Sequence, residues 1–146
     1  MKIDIKTIKE GEESITVRYF EPNPTVERII GILQNEEYKV WGKTDGMTIC
    51  IEPKDILYLE SVDDKVFAYT KDSVARIEGS LYSFSSSVND DSFFRCSKSM
   101  IINVGRVSSL KSLPSNRIDA TLENGEHIII SRRYAAEFRR FLKGDR

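Results

Sequence analysis

The chain has 146 residues, 22 Lys+Arg against 23 Asp+Glu, one His, two Cys and 40% apolar content. That is the make-up of a water-facing domain with its own core, and it excludes a disulfide scaffold and a low-complexity chain. The near-neutral total hides a polarity: residues 1–92 carry 11 Lys+Arg against 18 Asp+Glu, and residues 93–146 carry 11 against 5. Such asymmetry is expected of a chain whose basic half meets a polyanion, although solvated charges sorted by chance give the same count.

The opening MKIDIKTIKEGEES has no apolar stretch of the kind a secretory signal needs, and IIGIL (29–33) is far too short to cross a bilayer. A reducing, cytoplasmic setting is the expectation. KIDIKTI (2–8) and SITVRYF (14–20) alternate apolar and polar residues, which predicts two strands. Pro22 and Pro24 break the chain, Thr25 is placed to cap, and Val26, Ile29, Ile30 and Leu33 predict a helix over 25–35. Strands follow at 38–43 and 47–52 around Thr44-Asp45-Gly46, at 56–61 and 65–70 around Val62-Asp63-Asp64, and at 73–79. SLYSFSSSV (80–88) puts Leu81, Phe84 and Val88 on one helical face and reads as a short helix, despite serines that disfavour helix interiors.

FFRCSKSMIIN (93–103) stands apart. Two Phe and two Ile frame Arg95, Cys96, Ser97, Lys98 and Ser99, as in a cationic loop held between anchored strands. Strands at 106–113, 117–123 and 126–130 follow, the last two joined by Asn124-Gly125, the strongest hairpin signal in the chain. Ser131 is placed to cap a terminal helix over 132–142, with Tyr134, Phe138 and Leu142 on one face. The fold class is mainly β and antiparallel, with three helices.

Little here suggests catalysis. The single His127 lies within a strand pattern, where a surface or satisfied residue is the ordinary reading. No Cys/His set has metal spacing, and the glycines are scattered at turns. Cys96 sits beside Arg95 and Lys98, which could lower its pKa, but only His127 could serve it as a base. The sequence calls for no enzyme, cofactor or metal.

The basic residues are more informative. Arg132 and Arg133 open a helix, where cations oppose the dipole. Free N–H groups and two arginines there suit a phosphate, and arginine also reads guanine in the major groove. Solvated arginines with no role are the plain alternative. Arg139 and Arg140 suit the end of the same helix and need no function.

DILYLES (55–61), KVFAYT (65–70), FFRCSKSMIINVGRV (93–107) and NGEHIIISRRY (124–134) fall in an order and spacing that resembles the LytTR (LytR/AgrA-type) DNA-binding domain of bacterial transcription regulators. The resemblance covers about residues 45–143. It implies an elongated β domain that lays loops, not a recognition helix, into successive major grooves of double-stranded DNA. By that resemblance Lys98 and Arg133 reach base edges, Arg132 holds the backbone, and Arg95 and Ser99 hold phosphate or shape the loop. Lys65, in the turn around Asp64, supplies a third contact. Asn103 belongs to the motif as well, although closing a turn explains it equally well.

The implied organisation is an N-terminal β-β-α extension over 1–44 and a LytTR-type domain over 45–146. The extension is too short for a receiver domain, so a stand-alone regulator is expected. Such regulators act as homodimers on direct repeats and tend to be paired with a small membrane protein that restrains them. The extension is then for dimerisation or for docking that partner, or simply a structural addition to the sheet. The alternative for the whole chain is a protein-interaction module whose basic half binds an acidic partner or a membrane surface.

Overall fold

The computed structural model describes residues 1–33, 39–88 and 92–144. The chain divides into two compact units, Met1–Glu36 and Glu37–Arg146.

The first unit differs from expectation. Neither 2–8 nor 14–20 forms a strand: both run without a ladder partner among the described residues, and their isoleucines lie in solvent. Alternation supplies the side-chain pattern of a strand, but a strand also needs a neighbour to bond its main chain, and the described residues of the unit provide none. The helix does form, as α1 (Pro24–Leu33), but its cap is not Thr25. Asn23 Oδ1 accepts from Val26 N at 3.0 Å, and Pro24 takes the first helical position, where its missing N–H is harmless. Residues 34 and 35 of the predicted helix, and Tyr38 of the next strand, lie outside the described residues.

Among its described residues the second unit holds ten strands, all antiparallel. They are β1 (Val40–Thr44), β2 (Met47–Ile51), β3 (Ile56–Val62), β4 (Lys65–Thr70), β5 (Val74–Ile77), β6 (Phe93–Arg95), β7 (Met100–Asn103), β8 (Val107–Leu113), β9 (Arg117–Leu122) and β10 (His127–Ile130). The first seven form one sheet in the order β2-β1-β5-β4-β3-β7-β6, and the last three form a second in the order β10-β9-β8. The helices are α2 (Leu81–Ser87) and α3 (Arg132–Leu142). Strand β1, which lies before residue 45, pairs with both β2 and β5 inside the large sheet.

Turn chemistry follows the residues. Asp63 and Asp64 both take positive φ (50° and 61°), the two-residue turn whose twist matches a hairpin, and Asp45-Gly46 does the same between β1 and β2. Serine proves to be a start signal for α2. Ser80 caps Ser83 N while the Ser83 hydroxyl accepts from Ser80 N, a reciprocal pair that satisfies two orphan donors.

Two cores explain why FF and II stand in consecutive pairs. Neighbouring strand residues point to opposite faces, so adjacent apolar residues mean both faces are buried. Ile101 packs into the core under α2 with Leu59, Val66 and Phe84, whereas Ile102 packs into the core under α3 with Ile130 and Phe138. In the same way Phe93 meets Phe84 edge-on at 5.1 Å, and Phe94 meets Phe138 at 5.2 Å. Strands β6 and β7 are thus gripped on both sides, and the loop between them projects from a rigid base.

Two polar links tie the second sheet to the first. Tyr58 on β3 donates to Glu126 at 2.9 Å. Arg106 reaches the Lys54 carbonyl at 2.8 Å, Glu123 at 3.2 Å and Asp55 at 3.6 Å.

Candidate nucleic-acid interface

The 96–99 loop is bound down along its main chain. Cys96 N donates to the Met100 carbonyl at 3.1 Å, Ser99 N to Ser97 Oγ at 3.2 Å, and Ser61 N of β3 to the Ser99 carbonyl at 2.8 Å. Arg95, at the end of β6, turns its guanidinium inward. Its Nε donates to the Ser97 carbonyl at 2.9 Å and its Nη2 to the Lys98 carbonyl. What the loop presents is therefore Lys98, exposed and with no partner for its ammonium among the described residues, beside an exposed Ser99. The β3–β7 register, with Glu60 opposite Met100, sets this loop beside the Asp63-Asp64 turn at one end of the sheet. A cleft of about 230 Å3 there is lined by Ser61, Asp64, Ser80, Tyr82, Arg95 and Lys98. Tyr82, 77% exposed, was not singled out from the sequence. The signal was there, since Leu81, Phe84 and Val88 face inward and leave Tyr82 to face out.

Cys96 closes the base of the loop. It is fully buried in the core under α3, and burial pushes its thiol up to about 12, overriding the lowering pull of Arg95. The lowering that neighbouring cations could bring is outweighed: desolvation of the thiolate exceeds the pull of a partly solvated guanidinium.

Arg132 and Arg133 open α3 and are both exposed. The Arg133 guanidinium lies 5.8 Å from the Tyr134 ring centroid. Ser131 occupies the cap position but makes no side-chain cap bond; only its carbonyl accepts, from Tyr134 N and Ala135 N. The side-chain cap expected of it is absent, so the first turn keeps donor capacity for an outside anion.

The remaining sequence candidates separate from these two groups. Lys65 is exposed but opens onto a different groove, of about 830 Å3, with Trp41, Lys43 and Arg76. Asn103 is 2% exposed, and both ends of its amide are used. Its Nδ2 donates to the Ile56 carbonyl at 2.8 Å and its Oδ1 accepts from Gly105 N at 3.0 Å. Both polar ends of its side chain are thus spent inside the fold, as the turn-closing reading of this residue requires. His127 bonds Asp119 at 2.9 Å on the neighbouring strand, an ordinary satisfied surface pair. Among the described residues no group of His, Cys, Asp or Glu could hold a metal ion, and no helix is long and apolar enough to cross a membrane.

The family model for the LytTr DNA-binding domain matches residues 46–143. The chain belongs to the LytTR family. Among solved structures, it is similar to the LytTr DNA-binding domain of a protein described as a methyl-accepting/DNA response regulator from Bacillus cereus, with 29% identity and a TM-score of 0.68, covering 71% of this chain and 95% of that one. No curated protein matches. LytTR membership makes the chain a bacterial DNA-binding transcription regulator whose partner is double-stranded DNA, in a family of DNA-binding domains rather than enzymes. The mainly antiparallel sheets with few short helices are the fold of that LytTR relative.

Proposed function

We propose that this LytTR chain reads the major groove of duplex DNA through two presentations, the 96–99 loop and the start of α3, as two copies on direct repeats. The observation that carries the reading is Lys98, a free ammonium on a loop whose main chain is fastened on both sides. A charge held out on a rigid base reaches a base edge without first ordering the chain, which is where affinity is usually lost. Lys98 and Arg133 take base edges. Arg132, the open first turn of α3 and the Ser99 hydroxyl take phosphate, which sets register. Arg95 shapes the loop, and Lys65 touches backbone further along.

The test is a fluorescence-anisotropy titration against duplex DNA from upstream of the chain's own gene, beside a shuffled duplex of equal composition, at two salt concentrations. Tighter binding to the native duplex that survives the higher salt is the expected result. Equal, salt-labile binding to every duplex tried would instead favour a basic surface for an acidic partner or membrane.

A further inference from the structure

The unit Met1–Glu36 exposes apolar side chains out of proportion to its size. Ile3, Ile5 and Ile15 are 79%, 88% and 74% exposed, Phe20 is wholly so, and Val26 is the one buried side chain among the unit's described residues. Apolar surface concentrated in this way marks an interaction site. Segments 2–8 and 14–20 also carry the side-chain alternation of strands while no ladder bonds their main chain among the described residues. Unpaired N–H and C=O groups on an extended, isoleucine-rich segment are a template for another strand.

We propose that this partner is a second copy of the chain, with segment 2–8 of each copy pairing antiparallel with segment 14–20 of the other. The side chains select the pairing and its register. Setting Ile5 opposite Val17 also sets Ile3 opposite Tyr19 and Thr7 opposite Ile15 on one face, and Asp4 opposite Arg18 on the other. Sliding by two residues in either direction brings Arg18 against Lys2 or Lys6, and sliding by one sends the isoleucines to the polar face. Charge agrees at longer range: Lys2, Lys6 and Lys9 outnumber Asp4 in residues 2–9, while Glu10, Glu12, Glu13 and Glu21 outnumber Arg18 in residues 10–21. Each copy thus offers one cationic and one anionic segment, and the contact is reciprocal, as a two-fold pair requires. The neighbour of Asp4 within the chain is Lys6 at 3.8 Å, and both remain largely exposed, so the carboxylate is available. The inference deepens the two-copy reading above and rests on it only for its use on DNA; the two-fold is assigned to segments 2–8 and 14–20 alone, so it does not impose an inverted repeat on the site.

Sedimentation equilibrium of the full chain without DNA tests it. The wild-type chain is a dimer, and Ile5→Lys, placed on an already exposed side chain, is a monomer. Asp4→Arg sets two arginines face to face at both junctions, and Arg18→Asp sets two aspartates, so each variant alone associates about tenfold more weakly. An equimolar mixture of the two regains wild-type association, because in a mixed dimer each variant supplies the charge the other lacks. A hairpin formed within one chain cannot be rescued by mixing. A monomeric wild type, a dimeric Ile5→Lys chain or a mixture that stays weak overturns the proposal. The DNA reading fails separately: it falls if wild-type protein shows no sequence preference, whereas Ile5→Lys should keep that preference on a single repeat.

Discussion

Arg95 donates its guanidinium to the carbonyls of Ser97 and Lys98, so one cation of the FFRCSKSMIIN stretch spends its charge holding the other in place. A planar guanidinium presents its donors in a fixed fork that fits two carbonyls, whereas an ammonium on a flexible stem must be ordered to do the same. Arg95→Ala should therefore loosen the loop, lower specific DNA affinity, and reduce stability by about 1–2 kcal/mol for two lost charge-assisted bonds. Arg95→Lys should recover little of either, although the charge is restored. Anisotropy titration and urea denaturation of the three proteins check this. Full recovery by lysine would make Arg95 a simple phosphate contact.

Lys98 and Arg133 are both exposed, and the proposed reading sets them on base edges. Each alanine variant should cost about 1–3 kcal/mol on the cognate site and relax its sequence preference, with little change on shuffled DNA. Arg132→Ala should weaken both duplexes alike and flatten the dependence on salt. Titrations of the three variants on both duplexes separate reading from holding.

Asn103 gives the opposite profile. Asn103→Ala leaves the Ile56 carbonyl and the Gly105 N–H without their partner in a buried site, so about 2–4 kcal/mol of stability should be lost. DNA preference of the folded fraction should be unchanged. Urea unfolding followed by titration well below the transition checks both halves.

Tyr58 bonds Glu126 and stacks on Tyr69 at 4.3 Å. Burial first, and then the carboxylate it bonds, raises the Tyr58 phenol well above its ordinary value of 10.0, and burial raises Tyr69 as well. A group whose pKa is raised by folding contributes stability that is fully present below its unfolded pKa. That contribution is lost as pH climbs from there through the folded value. Stability should therefore fall as pH rises above about 10. Tyr58→Phe, which keeps the stack and removes the hydroxyl, should cost about 1 kcal/mol near neutrality and make the alkaline decline shallower. Urea midpoints from pH 8 to 11 measure it.

Cys50 is exposed and Cys96 buried, with the Cys96 thiol raised to about 12. At neutral pH iodoacetamide should modify Cys50 readily and Cys96 only after denaturation, as mass spectrometry of timed samples would show. Mild peroxide should accordingly leave DNA binding unchanged. Rapid labelling of folded Cys96 would mean that the base of the loop opens.

What was legible from residues alone was whatever depends on near neighbours. The period-two runs, Asp45-Gly46, Asn124-Gly125 and the apolar faces of α2 and α3 announced nearly all the strands of the second unit and both of its helices, because turn geometry and side-chain period are local. The family could be read for the same reason, since its motifs are runs of consecutive residues.

Tertiary structure decided which polar side chains are free. Arg95 and Lys98 look alike as cations three residues apart, and only the fold turns one inward onto carbonyls and leaves the other in solvent. Asn103 and Arg106 bond partners about fifty residues away, at Ile56 and Lys54, which no local pattern displays. Segments 2–8 and 14–20 show the converse. Their alternation is real, but a strand is a relation between two chains of hydrogen-bonding groups, and the sequence can write only one side of it.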